Sequence, residues 1–341
     1  MQISKKKVST VVKIISFVMV AAVLLGVLSV TAFSKEAGGV KYRNVKNKLY
    51  SFYFEPDESI QLVGIGNSDL YSGFVPTVLY EEHGITSQMM GSPYQTPLQA
   101  YYYLKEIFKY QTPEVVMIEV DMLYDEPPGE QEPERTKRDV LFHYCNTDDF
   151  QAMIEDKLPI FSFHDRWKSL IKRNTELRTP NSHGYKYFSK VDKIKYEPYM
   201  FETDEKEPVH QYRLHQLDKV MQLCAQEGAE VFFIEMPTTN SWSYERHNTA
   251  VEIAEKYGTV FLDLNLLIDE IGLDFENSFR DKGNHLNYEG AKKVTSYLGT
   301  FIDANYPMET QNGNKRWEQS LIDFERERLR EDKRRAEQEE E

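Results

Sequence analysis

Two short strings in this chain hold residue types that can do covalent chemistry, and they lie far apart. The first is Gly66-Asn67-Ser68-Asp69, which follows an apolar run and opens a segment of helical spacing. A serine there caps a helix N-terminus, where backbone N–H groups point at whatever approaches its oxygen. Read alone, the string also fits a plain N-cap serine. The second string is Phe279-Arg280-Asp281-Lys282-Gly283-Asn284-His285-Leu286-Asn287. A serine nucleophile needs a base to take its proton, and the base needs a carboxylate to hold its tautomer. A glycine-bent loop with His285 and Asp281 offers both. Asn67 and Asp69 flank the serine and fit the geometry of a tight elbow, with Asn67 also a candidate for substrate contact.

Both strings must be carried by elements that bring them to one edge. Short apolar runs alternate with helical patterns from residue 59 onward. The runs 59–66, 86–91, 114–121, 229–237 and 259–264 read as strands, the first ending in glycine. Helical spacing stops at Gly84, restarts at Pro97, and returns in 215–228, 245–258 and 288–306. Apolar strands alternating with helices imply a parallel sheet covered on both faces, a three-layer α/β/α fold. In such sheets active sites lie outside the carboxyl ends of the strands. Ser68 follows the first strand and His285 follows the last, so both fall at that edge.

The rest of the chain sets limits. Residues 5–13 carry Lys5, Lys6, Lys7 and Lys13, and an uncharged run follows from Ile14 to Phe33. As a helix that run spans about 30 Å, the hydrocarbon thickness of a bilayer. The lysines keep residues 1–13 in the cytoplasm and send the body across. Cleavage after Ala32 is the competing reading, and it also leaves the body outside the cytoplasm. A connector covers 34–58. Residues 59–306 form the main domain, with an insertion over about 123–208 that begins with a charged, proline-containing loop. An insertion of this length suits a lid or a substrate-facing element. Within it, His164, Arg166 and Trp167 form a polar-aromatic string fit for a carbohydrate or an anion. Trp242 follows a strand end and is expected to face the pocket. Residues 307–341, dense in both charges, read as a solvated helix or tail.

The formal net charge of −14 and the lack of a basic cluster in the folded part argue against a nucleic-acid partner. Two cysteines cannot make a disulfide scaffold. His83, His143, His183, His210, His215 and His247 show no metal-ligand spacing, so no metal or other cofactor is expected.

The GNSD string after the first strand, with D-x-x-x-H-L-N before the last helix, resembles the SGNH/GDSL hydrolase superfamily. The likeness runs from about residue 59 to 306 and takes in PTTNSW after the fourth strand and HDRW in the insertion. It is most similar to the membrane-anchored, DltD-like branch, which includes SGNH-like proteins paired with membrane-bound O-acyltransferases. The resemblance implies Ser68 as nucleophile, His285 as base and Asp281 as orienting carboxylate. It further implies backbone N–H groups of Ser68 and Gly91 as oxyanion donors. Two departures stand out. The superfamily spaces its aspartate and histidine as D-x-x-H, one residue closer, which leaves Asp263 as a fallback third member. The third strand ends in Glu119-Val120-Asp121, without the Gly-Asn pair that supplies a side-chain oxyanion donor. The expected function is acyl transfer through an acyl-serine, to or from a hydroxyl of a cell-envelope glycan or teichoic-acid-like polymer. A plain esterase and an inactive scaffold subunit are the alternatives.

Overall fold

The computed structural model describes residues 5–31, 52, 55–124, 158, 160, 182–195 and 197–339. His164, Arg166 and Trp167 lie outside them. The chain divides into two compact units, Met1–Lys41 with Glu134–Arg178, and Tyr42–Pro133 with Thr179–Glu341. In the first unit, helix α1 (Lys5–Val30) contains an apolar stretch, Thr10–Val30, long enough to cross a membrane. Along that stretch Val11, Ile14, Ile15, Phe17, Val18 and Val23 are exposed.

The second unit is built on a five-stranded parallel sheet. Its strands are β1 (Leu62–Gly66), β2 (Ser87–Gly91), β3 (Val115–Glu119), β4 (Glu230–Glu235) and β5 (Phe261–Asp263). They lie in the order β2-β1-β3-β4-β5. Strand side chains alternate between faces, and helices cover both. One layer holds α2 (Ser68–Gly73), α3 (Pro76–His83) and α8 (Tyr288–Asn305). There Leu70, Phe74, Val78, Val294 and Leu298 pack with Leu62, Met117 and Phe232 of the sheet. The other layer includes α4 (Pro97–Ile107) and α5 (Gln211–Glu227), which pack on each other. Helix α6 (Tyr244–Tyr257) lies against β5, and a single turn, α7 (Ile268–Ile271), follows that strand.

Local chemistry explains the ends. Gly84 takes the left-handed conformation that closes α3. Thr96 and Gln99 form a capping box in front of Pro97 at the start of α4. The loop between β5 and α8 is itself a small antiparallel hairpin, β6 (Phe279–Arg280) against β7 (His285–Leu286). From the end of the insertion, a turn at 182–184 leads into residues 185–194, which pass along the sheet's edge without helix or strand. His183 O accepts from Met89 N, Lys186 N donates to Tyr71 O, and Phe188 O accepts from Tyr288 N.

Residues after 306 are less detached than their charge suggests. Helix α9 (Lys315–Glu339) begins with Trp317, fully buried and stacked on His183 at 3.8 Å between ring centres. Phe324, two turns further along the same face, packs on Tyr185, Tyr187 and Tyr288. Ion pairs such as Arg326–Asp323 and Arg334–Glu331 run along the helix, with their arginines in solvent.

Candidate active site

Ser68 is the first residue of α2, directly after β1 and its N-cap Asn67. Asn67 is fixed three ways. Its side-chain oxygen accepts from Asp69 N at 3.0 Å, its amide donates to Asp121 Oδ2 at 2.7 Å, and its backbone N–H donates to Glu119 Oε2 at 2.6 Å. Gly66 makes room for this, because a Cβ there would meet Glu119 Oε2 at 2.5 Å. Asn67 therefore serves the elbow: its polar groups are spent on the turn, although it remains on the cleft lining.

The hairpin delivers the base. His285 Nε2 lies 2.9 Å from Ser68 Oγ, and its Nδ1 lies 3.2 Å from Asp281 Oδ2. Asp281 thus reaches the imidazole despite its extra residue of spacing. The reason is backbone conformation: Asp281, Lys282 and Gly283 all have positive φ, at 52°, 58° and 93°. A left-handed turn folds the added residue away and costs about 1–2 kcal/mol for each non-glycine position. Arg280 holds Asp281 from the other side and also bonds Leu286 O and Ser72 Oγ, while its guanidinium lies 3.6 Å over the Phe188 ring. A second carboxylate, Asp69, lies 3.5 Å from His285 Nε2.

Asp263 is not the third member. It accepts from Trp242 Nε1 at 2.9 Å, Asn265 N at 3.0 Å and His247 Nδ1 at 2.8 Å, on the far side of β4. Trp242 is corrected with it. Only 4% exposed, and edge-on to Tyr124 and Phe261, it is a core residue and not a wall of the pocket. Gly91 ends β2 and packs against Tyr71, whose ring would meet a Cβ at 2.9 Å. Its lack of a side chain serves packing.

The cleft, about 320 Å³, is lined by Ser68, His285, Tyr71, Tyr94, Lys186 and Arg280, among others. Burial, the largest influence, and the Arg280 charge push His285 down to about 4, against an opposing pull from Asp281. The imidazole is neutral at pH 7 and able to accept a proton. Beneath the elbow lies a layer of buried acids that strand reading did not anticipate. Glu119 and Glu235 are fully buried, and Glu235 accepts from Asp121 N at 3.0 Å. Burial, then the charges of Asp121 and Glu119, holds Glu235 well above the usual carboxyl range, so it is a neutral acid. Burial also raises Asp121, which faces Arg246 at 3.3 Å. Two contributors escaped sequence reasoning altogether. Lys186 and Phe188 gave no signal, being set by the path of the insertion's return. Tyr71 had one: it stands three residues after Ser68, on the same helical face.

No protein-family model and no curated protein matches the sequence. Among solved structures, the chain is similar to a protein assigned to the G-D-S-L lipolytic family from Desulfitobacterium hafniense, with 12% identity over 70% of this chain and 97% of that one, at a TM-score of 0.35. It is also similar to a protein assigned as an acylhydrolase from Bacteroides fragilis, with 11% identity over 78% of this chain and 98% of that one, at a TM-score of 0.38.

Proposed function

We propose that the chain is a membrane-anchored serine acyl-transfer enzyme of SGNH type, working outside the cytoplasm on a cell-envelope glycan or teichoic-acid-like polymer. The observation that carries this reading is the 2.9 Å contact between Ser68 Oγ and His285 Nε2, with Asp281 at the other ring nitrogen. Neutral His285 takes the serine proton as Oγ attacks the acyl carbonyl. Asp281 holds the Nδ1–H tautomer and offsets the imidazolium charge. The imidazolium then protonates the leaving alkoxide, leaving an acyl-serine. A second hydroxyl, from polymer or water, reverses the sequence and decides between transferase and esterase. Lys186, whose ammonium lies 4.7 Å over Phe188 on the cleft wall, gives a phosphate-bearing acceptor a cation to meet. The apolar stretch Thr10–Val30 of α1, with Lys5, Lys6 and Lys7 ahead of it, supports the anchor. A multi-spanning O-acyltransferase is the partner that would supply the acyl group.

The test is covalent labelling of the full-length protein with a fluorophosphonate, followed by assays of acyl-ester turnover with and without a polyol-phosphate acceptor. Wild type labels at Ser68, Ser68→Ala does not, and His285→Ala labels orders of magnitude more slowly. Acyl product on the acceptor supports transfer, and product only in water supports the esterase. Folded wild type that never labels overturns the enzyme reading in favour of a scaffold subunit.

A further inference from the structure

Acyl transfer needs donors aimed at the oxygen that becomes negative in the tetrahedral intermediate, and one such donor is worth about 10²–10³ in turnover. Here the side-chain donor at the end of β3 is missing. Where an asparagine amide was looked for, β3 leads into Asp121, a carboxyl that accepts from Asn67 and Arg246 and whose ionised form would repel an oxyanion.

A different side chain with a donor stands on the cleft wall beside the nucleophile, Tyr71. Tyr71 lines the cleft beside Ser68 and His285, is 5% exposed, and shares a hydrogen bond between its hydroxyl and that of Ser68. Its ring is wedged against Gly91 and its backbone carbonyl is tied to Lys186 N, so its position is set by packing on two sides. We propose that Tyr71 is a catalytic residue whose O–H donates to the oxyanion, replacing the asparagine amide. The inference rests on the serine acyl-transfer reading.

The step balances without any proton leaving the tyrosine. Ser68 Oγ bonds to the acyl carbon, the carbonyl π pair moves to its oxygen, and the serine proton passes to His285 Nε2. That oxygen and Oγ are then attached to the same carbon, so the Tyr71 O–H that met Oγ in the free enzyme turns to its new neighbour. Collapse re-forms the carbonyl and expels the alkoxide, which takes the proton from His285. Burial, the main cause, pushes the Tyr71 phenol up to about 12, so it keeps its proton across the working range.

Tyr71→Phe removes one oxygen and keeps the ring against Gly91. Turnover of a p-nitrophenyl acyl ester should fall by about 10²–10³ with KM and thermal midpoint unchanged. A fluorinated tyrosine at position 71, whose phenol ionises at lower pH, should bring an alkaline limb into the kcat profile that a packing role would not produce. Turnover within about twofold of the parent in Tyr71→Phe, or a flat alkaline profile in the fluorinated protein, overturns Tyr71 and leaves the serine reading intact. Wild type that neither turns over the ester nor labels with fluorophosphonate overturns both.

Discussion

Asp281 Oδ2 stands 3.2 Å from His285 Nδ1 while its own carboxylate is nearly half exposed and held by Arg280. The pair is unequal: a shielded imidazole leans on a carboxylate in partial contact with water. Desolvation of the ring therefore outweighs the attraction of the carboxylate, and His285 titrates low.

Activity should follow that depressed value. Only neutral imidazole accepts the serine proton, so labelling and turnover fall as pH drops through the folded-state value, below the ordinary 6.5 and towards 4. The plateau should be reached by about pH 6. Arg280→Gln removes a positive charge beside the ring, so its acid limb should shift upward. A limb centred at or above 6.5 in the parent would contradict the buried setting of His285.

Asp281 and Asp263 should separate cleanly. Asp281→Ala leaves the imidazole unoriented and should lower kcat by about 10²–10⁴-fold with little change in thermal midpoint. Asp263→Ala strands Trp242 Nε1 and His247, and should cost about 1–3 kcal/mol of stability with kcat per folded molecule unchanged. Parallel denaturation and steady-state kinetics check both.

Substituting Gly91 should act on the fold. A Cβ meets the Tyr71 ring at 2.9 Å and Gly66 O at 3.2 Å, so Gly91→Val should destabilise by about 1–3 kcal/mol in urea titration. Any loss of turnover then follows displaced Tyr71.

Glu235 should mark stability at high pH. Its folded-state pKa lies above the ordinary 4.5, so its contribution is complete below 4.5 and is lost as pH rises through the folded value. Glu235→Gln resembles the neutral acid and carries no proton to lose. Its thermal midpoint should fall less than the parent's as pH rises above 4.5. An equal or greater fall would mean that Glu235 is already ionised in the folded protein.

Much of this was written in the local sequence. Pro97 starts a helix, Gly84 ends one, and the apolar runs became strands because fully buried parallel strands need little else. Ser68 and His285 were legible because strand ends in such sheets converge on one edge. What stayed hidden depends on tertiary contact. Neither Asp281 nor Lys282 announces a left-handed φ, and no pattern shows that Glu119 and Glu235 would lie fully buried under the elbow. Trp242 looked like a pocket wall because strand-end position says nothing about which way a ring turns. Trp317, inside a run of charges, looked solvated, yet its partner His183 lies 134 positions earlier.

Ser68 and His285 are separated by 217 positions in the chain, and the contact between them closes most of the sheet's connectivity. Contacts of such long range form slowly, after the loop entropy between them has been spent. The nucleophile meets its base only once the β6–β7 hairpin has reached α2. A chain short of that contact holds a serine with no base, so reactivity of Ser68 towards a fluorophosphonate reports completion of the fold.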